Sequence, residues 1–161
     1  MAHDFPRVPV RVVLEDIRSG LNVGAFFRTA DAFALEAIEL CGYTAHPPHR
    51  DILKSALGAT ETVPWRAHAT ATEALALLRA EGWRTAAIEQ VDGATALEAW
   101  APALGERWAL VFGNEVHGVS AEAVAACELA VHIPQFGTKK SLNVSVCGGI
   151  ALWHVARSLR P

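Results

Sequence analysis

With 161 residues, 52% of them apolar, and a formal net charge of −3, the chain has the material for one globular domain, long enough to bury roughly two thirds of its unfolded surface. That charge argues against a nonspecific nucleic-acid coat, which needs clustered Lys and Arg, but leaves room for a local basic patch. The apolar runs are short and broken by charges, so none reaches the roughly 20 residues that span a bilayer. Met1-Ala-His-Asp-Phe-Pro6 lacks the basic and apolar regions of a signal peptide. Cys41, Cys127 and Cys147 are odd in number and widely spaced, which predicts reduced thiols in the cytoplasm rather than a disulfide framework or zinc site.

In chain order, Val8-Pro-Val-Arg-Val-Val-Leu14 reads as a strand, β-branched and apolar. A polar loop follows, and Asn22 is the expected N-cap of a helix over 23–34 that packs through Phe26, Phe27 and Phe33. Ala37–Cys41 is a second strand, Ile52–Leu57 a short amphipathic piece, and Glu61–Trp65 a short strand or extended segment. Thr72 starts an alanine-rich helix that Gly82 ends. Thr85–Glu89 is a strand, Asp92-Gly93 a turn, and Trp108–Phe112 a strongly apolar central strand. Ser120 caps another helix, Leu129–Ile133 is the last strand, and an apolar, small-residue helix closes the chain.

Strands alternating with helices predict an α/β fold, a parallel sheet with helices on both faces in a single domain. Ligands of such sheets sit beyond the carboxyl ends of the strands. The unusual residues collect at those ends, after Leu14, Glu89, Phe112 and Ile133.

Three stretches carry candidate chemistry. In Asn22-Val-Gly-Ala-Phe-Phe-Arg28, the arginine stands among apolar sequence neighbours; an unpaired guanidinium there is expensive and calls for a carboxylate or a phosphate. In Phe112-Gly-Asn-Glu-Val-His-Gly118, a strand runs into a tight glycine loop, with Glu115 the natural partner for Arg28. In the third, Ile133-Pro leads to Lys139-Lys140, which is either a solvated pair or a phosphate contact, and then to Ser141-Leu-Asn-Val-Ser145. A buried amide at Asn143 needs hydrogen-bond partners. Two glycines early in a helix, Gly148 and Gly149, each cost about 1 kcal/mol against alanine and imply a close approach. Dinucleotide and nucleotide-triphosphate phosphate loops and the hydrolase elbow have no matching pattern here, and the His residues form no metal-like pair.

Together the three blocks closely resemble the SpoU (TrmH-like) family of SPOUT RNA methyltransferases. Asn22-x-Gly24-x-x-x-Arg28, Gly113-Asn-Glu115-x-x-Gly118 and Ile133-Pro with Ser141-Leu-Asn-Val-Ser-Val146 match its motifs in order. The resemblance implies a C-terminal deep trefoil knot, an exception to the general absence of knots, and a homodimer through the last helix, where Ile150, Trp153 and Val155 are available to bury. It implies S-adenosyl-L-methionine as cofactor, held by Glu89, Gly113, Ile133, Ser141 and Leu142, with no metal. It implies methyl transfer to a ribose 2′-hydroxyl of RNA, most readily tRNA, with Arg28 central and Asn22, Glu115 and Asn143 positioning it. Arginine is effectively never deprotonated, so orienting the hydroxyl and stabilising its emerging charge is the physical role.

The chain departs from the pattern at Gln135, where Met is usual, and at Cys147, where Ala is commoner. A separate RNA-binding domain before the first strand is not expected, which leaves Arg7, Arg11, Arg18, Arg50, Lys54, Lys139 and Lys140 as candidates for RNA capture. The other expectations are the same chemistry on ribosomal RNA and a noncatalytic knotted RNA-binding scaffold.

Overall fold

The computed structural model describes residues 5–161, so Met1 to Asp4 of the leader reading lie outside the described residues. Seven strands form one sheet: β1 Val8–Glu15, β2 Leu35–Cys41, β3 Trp65–His68, β4 Arg84–Ile88, β5 Thr95–Ala96, β6 Trp108–Phe112 and β7 Leu129–His132. Their order is β3-β2-β1-β6-β4-β7-β5 and every pairing is parallel. The helices are α1 Gly20–Ala32, α2 Arg50–Ala56, α3 Ala71–Ala80, α4 Ala121–Ala126 and α5 Val144–Leu159.

Period-2 alternation sorts the central strands between two cores. Val10, Val12, Leu14, Leu110 and Phe112 face Phe26, Phe27, Ile52, Leu152 and Val155 of α1, α2 and α5. Val13, Cys41, Ala87, Ala109 and Val111 face Leu75, Leu78 and Ala123 of α3 and α4. Being covered on both faces is why Trp108–Phe112 is apolar at every position and wholly buried. The expected parallel α/β architecture with two helical layers is therefore met.

Several boundaries differ from expectation. α1 begins at Gly20 because Ser19, not Asn22, is its N-cap; the Ser19 hydroxyl accepts the Asn22 N–H. The expected Glu61–Trp65 segment is mostly irregular, with a 3-10 helix over Ala59–Glu61 ending at its first residue and the strand starting at its last, Trp65–His68. β5 is a two-residue edge strand that the sequence reading omits. Val155 is buried in the chain's own core rather than available to a partner.

Gly24 is set by packing. A Cβ there would lie 2.0 Å from Ser55 Oγ and 2.3 Å from the Ile52 carbonyl on α2. The helix-propensity gain of alanine, about 1 kcal/mol, is smaller than the about 1–3 kcal/mol of overpacking. Gly24→Ala is accordingly expected to lower the urea midpoint despite being a better helix former; an unchanged or raised midpoint would contradict the close α1–α2 crossing. One charged side chain is also wholly enclosed. Glu39 of β2, 0% exposed, accepts from Arg11 Nη1 at 2.6 Å and Arg66 Nη2 at 2.8 Å, with His68 Nε2 at 2.7 Å.

Candidate functional site

The sheet order makes β1, β6, β4 and β7 consecutive neighbours, so their carboxyl ends converge at one place. The loop after β6 is the centre of it. A Cβ on Gly113 would lie 2.2 Å from Gly118 C and Val119 N; the two ends of the loop touch through backbone, and only glycine fits. Gly118 has φ +69°, the left-handed region, and its Cα faces the Glu89 carboxylate.

Side chains hold this loop in place. Asn114 Oδ1 accepts the N–H groups of Val116 and His117, both at 2.9 Å. Its Nδ2 donates to the Asp16 carbonyl at 2.8 Å and to Tyr43 Oη at 2.6 Å. Glu115 accepts from the backbone N–H of Arg18 and of Ser19, each at 2.9 Å, which clamps the turn ahead of α1. Glu89 accepts from Val119 N–H at 2.8 Å and from Gln90 N–H at 2.9 Å. Glu15 accepts from both the N–H and the hydroxyl of Ser120 at 2.7 Å. These carboxylates act on backbone amides, and the result is a fixed backbone surface at the strand ends.

That surface walls a cleft of about 410 Å³. Glu89, Gly113, Glu115, Ile133, Ser141 and Leu142 all line it, together with Gln135 and Cys147, the two positions that depart from the motif. Burial, with Glu89 adding to it, pushes the Cys147 thiol up to about 11, so at neutral pH it is an apolar wall rather than a nucleophile. Among the described residues no group of His, Cys, Asp and Glu is placed to hold a metal ion, and no helix is long and apolar enough to cross a membrane.

The other three predicted residues lie outside the cleft. Asn143 is exposed rather than a buried amide. It is the N-cap of α5, its Oδ1 accepting from Ser145 N–H at 2.9 Å and Val146 N–H at 3.3 Å. Its Nδ2 reaches Asn22 Oδ1 at 3.5 Å, linking α5 to α1. Arg28 is exposed, because its apolar sequence neighbours turn to the other side of α1. It lines a groove of about 440 Å³ between α1 and α2 with Thr29, Lys54, Ser55 and Leu57. The expected Arg28–Glu115 pair does not form, since both oxygens of Glu115 are taken by backbone amides. Arg28 makes no ion pair among the described residues.

Sequence reasoning also missed Asn114, Ser19 and Glu15. Asn114 stood inside the Gly-Asn-Glu motif, and an Asn after an apolar strand is a turn-closing signal. Glu15 and Ser19 had no signal of their own. Of the candidate RNA cations, Arg7 donates to the Leu35 and Thr62 carbonyls, Arg11 is bound to Glu36 and Glu39, and Arg50 lies near Asp51. Arg18, Lys54, Lys139 and Lys140 are exposed.

Known proteins share this fold. The SpoU rRNA methylase family matches residues 9–153. A 23S rRNA (guanosine-2′-O-)-methyltransferase of Neisseria meningitidis is 32% identical over 150 residues, which are 92% of this chain and 58% of that protein. The chain spans about half the length of the curated relatives it matches. An AdoMet-bound rRNA methyltransferase from Sinorhizobium meliloti superposes with a TM-score of 0.85 at 27% identity, over 94% of this chain and 57% of that one. A structure described as giving insights into the 2-OH methylation of C/U34 on tRNA superposes with a TM-score of 0.79 at 26% identity, over 92% of this chain and 95% of that one. The motif order, the parallel sheet and a family match over most of the length agree, and this chain belongs to the SpoU rRNA methylase family.

Proposed function

We propose that this chain is an S-adenosyl-L-methionine-dependent RNA methyltransferase that modifies a ribose 2′-hydroxyl. The observation that carries the reading is the cleft at the ends of β4, β6 and β7, whose lining includes the loop after β6, held by Glu89, Asn114 and Glu115. At about 410 Å³ it falls within the range of small-molecule sites. Gly113 lets the loop after β6 close on itself, and Leu142 and Ile133 offer apolar contact to an adenine. The cofactor, when bound, supplies an activated methyl group.

The chain's own residues do the rest. Ser141, Gly113 and Leu142 hold the cofactor, with Glu89 at the edge of the pocket. Arg28 orients the ribose hydroxyl and stabilises charge on its oxygen as the proton leaves. Asn22 and Asn143 fix the junction between α1 and α5, and Glu115 fixes the turn from which α1 starts. Since Arg28 lies outside the cleft of its own chain, the reading includes a homodimer that carries it to the partner's cleft. Val146, Ile150 and Trp153 form an exposed apolar stripe on α5, 52%, 42% and 51% exposed. Phe33, which lines the Arg28 groove, packs against Trp153 with ring centroids 5.5 Å apart and planes tilted by 50°. Pairing through α5 therefore buries a surface that borders Arg28. The reading also includes the trefoil knot, supported by the tight seat of Gly148, whose Cβ would lie 2.3 Å from the Phe26 ring.

Transfer RNA is the favoured substrate, in the cytoplasm. This chain spans 95% of the neighbour described by C/U34 methylation on tRNA. The identity to the Neisseria enzyme favours ribosomal RNA as the second reading.

Calorimetric titration with S-adenosylmethionine and S-adenosylhomocysteine tests the cleft. Micromolar binding is expected, and Leu142→Arg should weaken it more than tenfold, a loss of at least about 1.4 kcal/mol. Absence of binding by the wild-type protein would replace the enzyme with a knotted RNA-binding scaffold.

A further inference from the structure

Phe136 is 96% exposed, more than any other large apolar side chain among the described residues. Burying a phenylalanine side chain is favourable, and the body of the protein leaves this one almost wholly in solvent. The residue stands in the loop between β7 and α5, as Pro134-Gln-Phe-Gly-Thr-Lys-Lys140. From Leu129 to the end of the chain there is no Asp or Glu. This loop is therefore a locally cationic surface on a protein whose net charge is −3.

Two hollows meet beneath the loop. One is the cleft described above. The other is a groove of about 720 Å³ running past Gln90, Asp92, His132, Gln135, Lys139 and Lys140. His132, Gln135 and Lys140 line both, so the groove opens directly onto the cleft. Asp92 is the one carboxylate on the groove's lining, set against two lysines.

We propose that Phe136 is a stacking platform for an unpaired RNA base, with Lys139 and Lys140 holding flanking phosphates as the strand runs along the groove to the cleft. The inference rests on the methyltransferase reading and names how its substrate is gripped. An exposed ring offers its face to any base, and lysines serve as point charges for phosphate. Sequence-specific RNA recognition is mostly of this kind, through unstacked bases in loops laid on aromatic rings. A base in a continuous duplex has both faces covered, so the device selects loops and bulges. The glycine beside the ring, Gly137, has open space around it, which lets a nucleotide approach from that side.

The probes are unfractionated tRNA and a single-stranded oligoribonucleotide carrying 2-aminopurine, titrated into the protein. Phe136→Ala should weaken RNA binding by about 5- to 150-fold, the usual range for losing one base–aromatic stack. Phe136→Trp should restore the affinity and quench the 2-aminopurine. The affinity for S-adenosylhomocysteine and the oligomeric state should stay as in wild type. Lys139→Gln with Lys140→Gln should reduce the slope of log affinity against log salt by about 1.4, as expected for two phosphate contacts to a single strand.

Unchanged RNA binding in Phe136→Ala overturns the proposal. Loss of S-adenosylhomocysteine affinity in that variant overturns it in favour of a cover over the cofactor. Dissociation of the assembly overturns it in favour of a contact between copies. A wild-type protein that binds RNA through Phe136 but not S-adenosylhomocysteine supports the platform and sinks only the methyltransferase reading.

Discussion

Replacing Arg28 with alanine is expected to reduce methyl transfer by roughly 10²–10³-fold, the usual cost of removing one donor to a developing oxyanion, while S-adenosylhomocysteine binding is retained. The reason is spatial. The cleft is built from the loops after β4, β6 and β7, and Arg28 is absent from its lining. Arg28 is exposed in the groove between α1 and α2, free of any ion pair among the described residues. A cation held free in this way is available for phosphate and ribose. The dimer reading makes a sharper demand on the same residue. Leu142→Arg blinds the cleft and Arg28→Ala removes the guanidinium, so each homodimer is inactive. In an equal mixture half of the dimers are hybrids, each with one complete site. Activity should return to about a quarter of wild type if the site is assembled across a symmetric interface. No recovery on subunit exchange would show that Arg28 acts within its own chain, and near-normal turnover by Arg28→Ala would remove it from the chemistry altogether.

The largest effect on stability is expected at Glu39, far from the cleft. Its carboxylate is fully buried and meets two guanidiniums and an imidazole. Burial alone would raise its pKa; the hydrogen bonds from Arg66, His68 and Arg11 outweigh that and hold it below the usual carboxylate range. Glu39→Gln removes the charge and leaves Arg11, 15% exposed, with Glu36 at 3.2 Å as its remaining counter-ion. Breaking a buried pair in this way costs about 3–5 kcal/mol, and the lower end applies because the Arg66 side chain is 37% exposed. For a chain of this size that is a drop in Tm of roughly 6–12 °C. The effect should depend on pH in one direction. The folded pKa is depressed, so the stabilisation is complete above the unfolded value of about 4.3 and is lost as pH falls through the folded value. Wild type and variant should therefore differ most at neutral pH and converge in acid. A constant difference down to pH 3 would mean that shape, not charge, holds the cluster.

What the sequence by itself determined is the layered fold and the location of its site. Trp108–Phe112 is apolar at each position, and only a strand covered on both faces can be so; that alone placed β6 in the middle of a parallel sheet. Glycine at 113 and at 118 announced a loop with bare backbone, and the structure shows the contact that demands it, Gly113 against Gly118 and Val119. The order of the three motifs was enough for the family, because local composition and spacing survive without any knowledge of contacts.

Partners were decided only by tertiary structure. Arg28 sits between apolar residues in the chain, yet the helical turn of about 100° per residue sends Phe26 and Phe27 inward and Arg28 to solvent. Glu115 read as the partner of Arg28, whereas Glu115 and Glu89 are both spent on backbone amides of loops distant in sequence. Glu39 lay in an ordinary-looking strand, and its burial follows from Arg11 and Arg66 arriving on the neighbouring strands β1 and β3. Hydrogen bonds and ion pairs join residues that only the strand order brings together, so no periodicity along one chain segment can announce them.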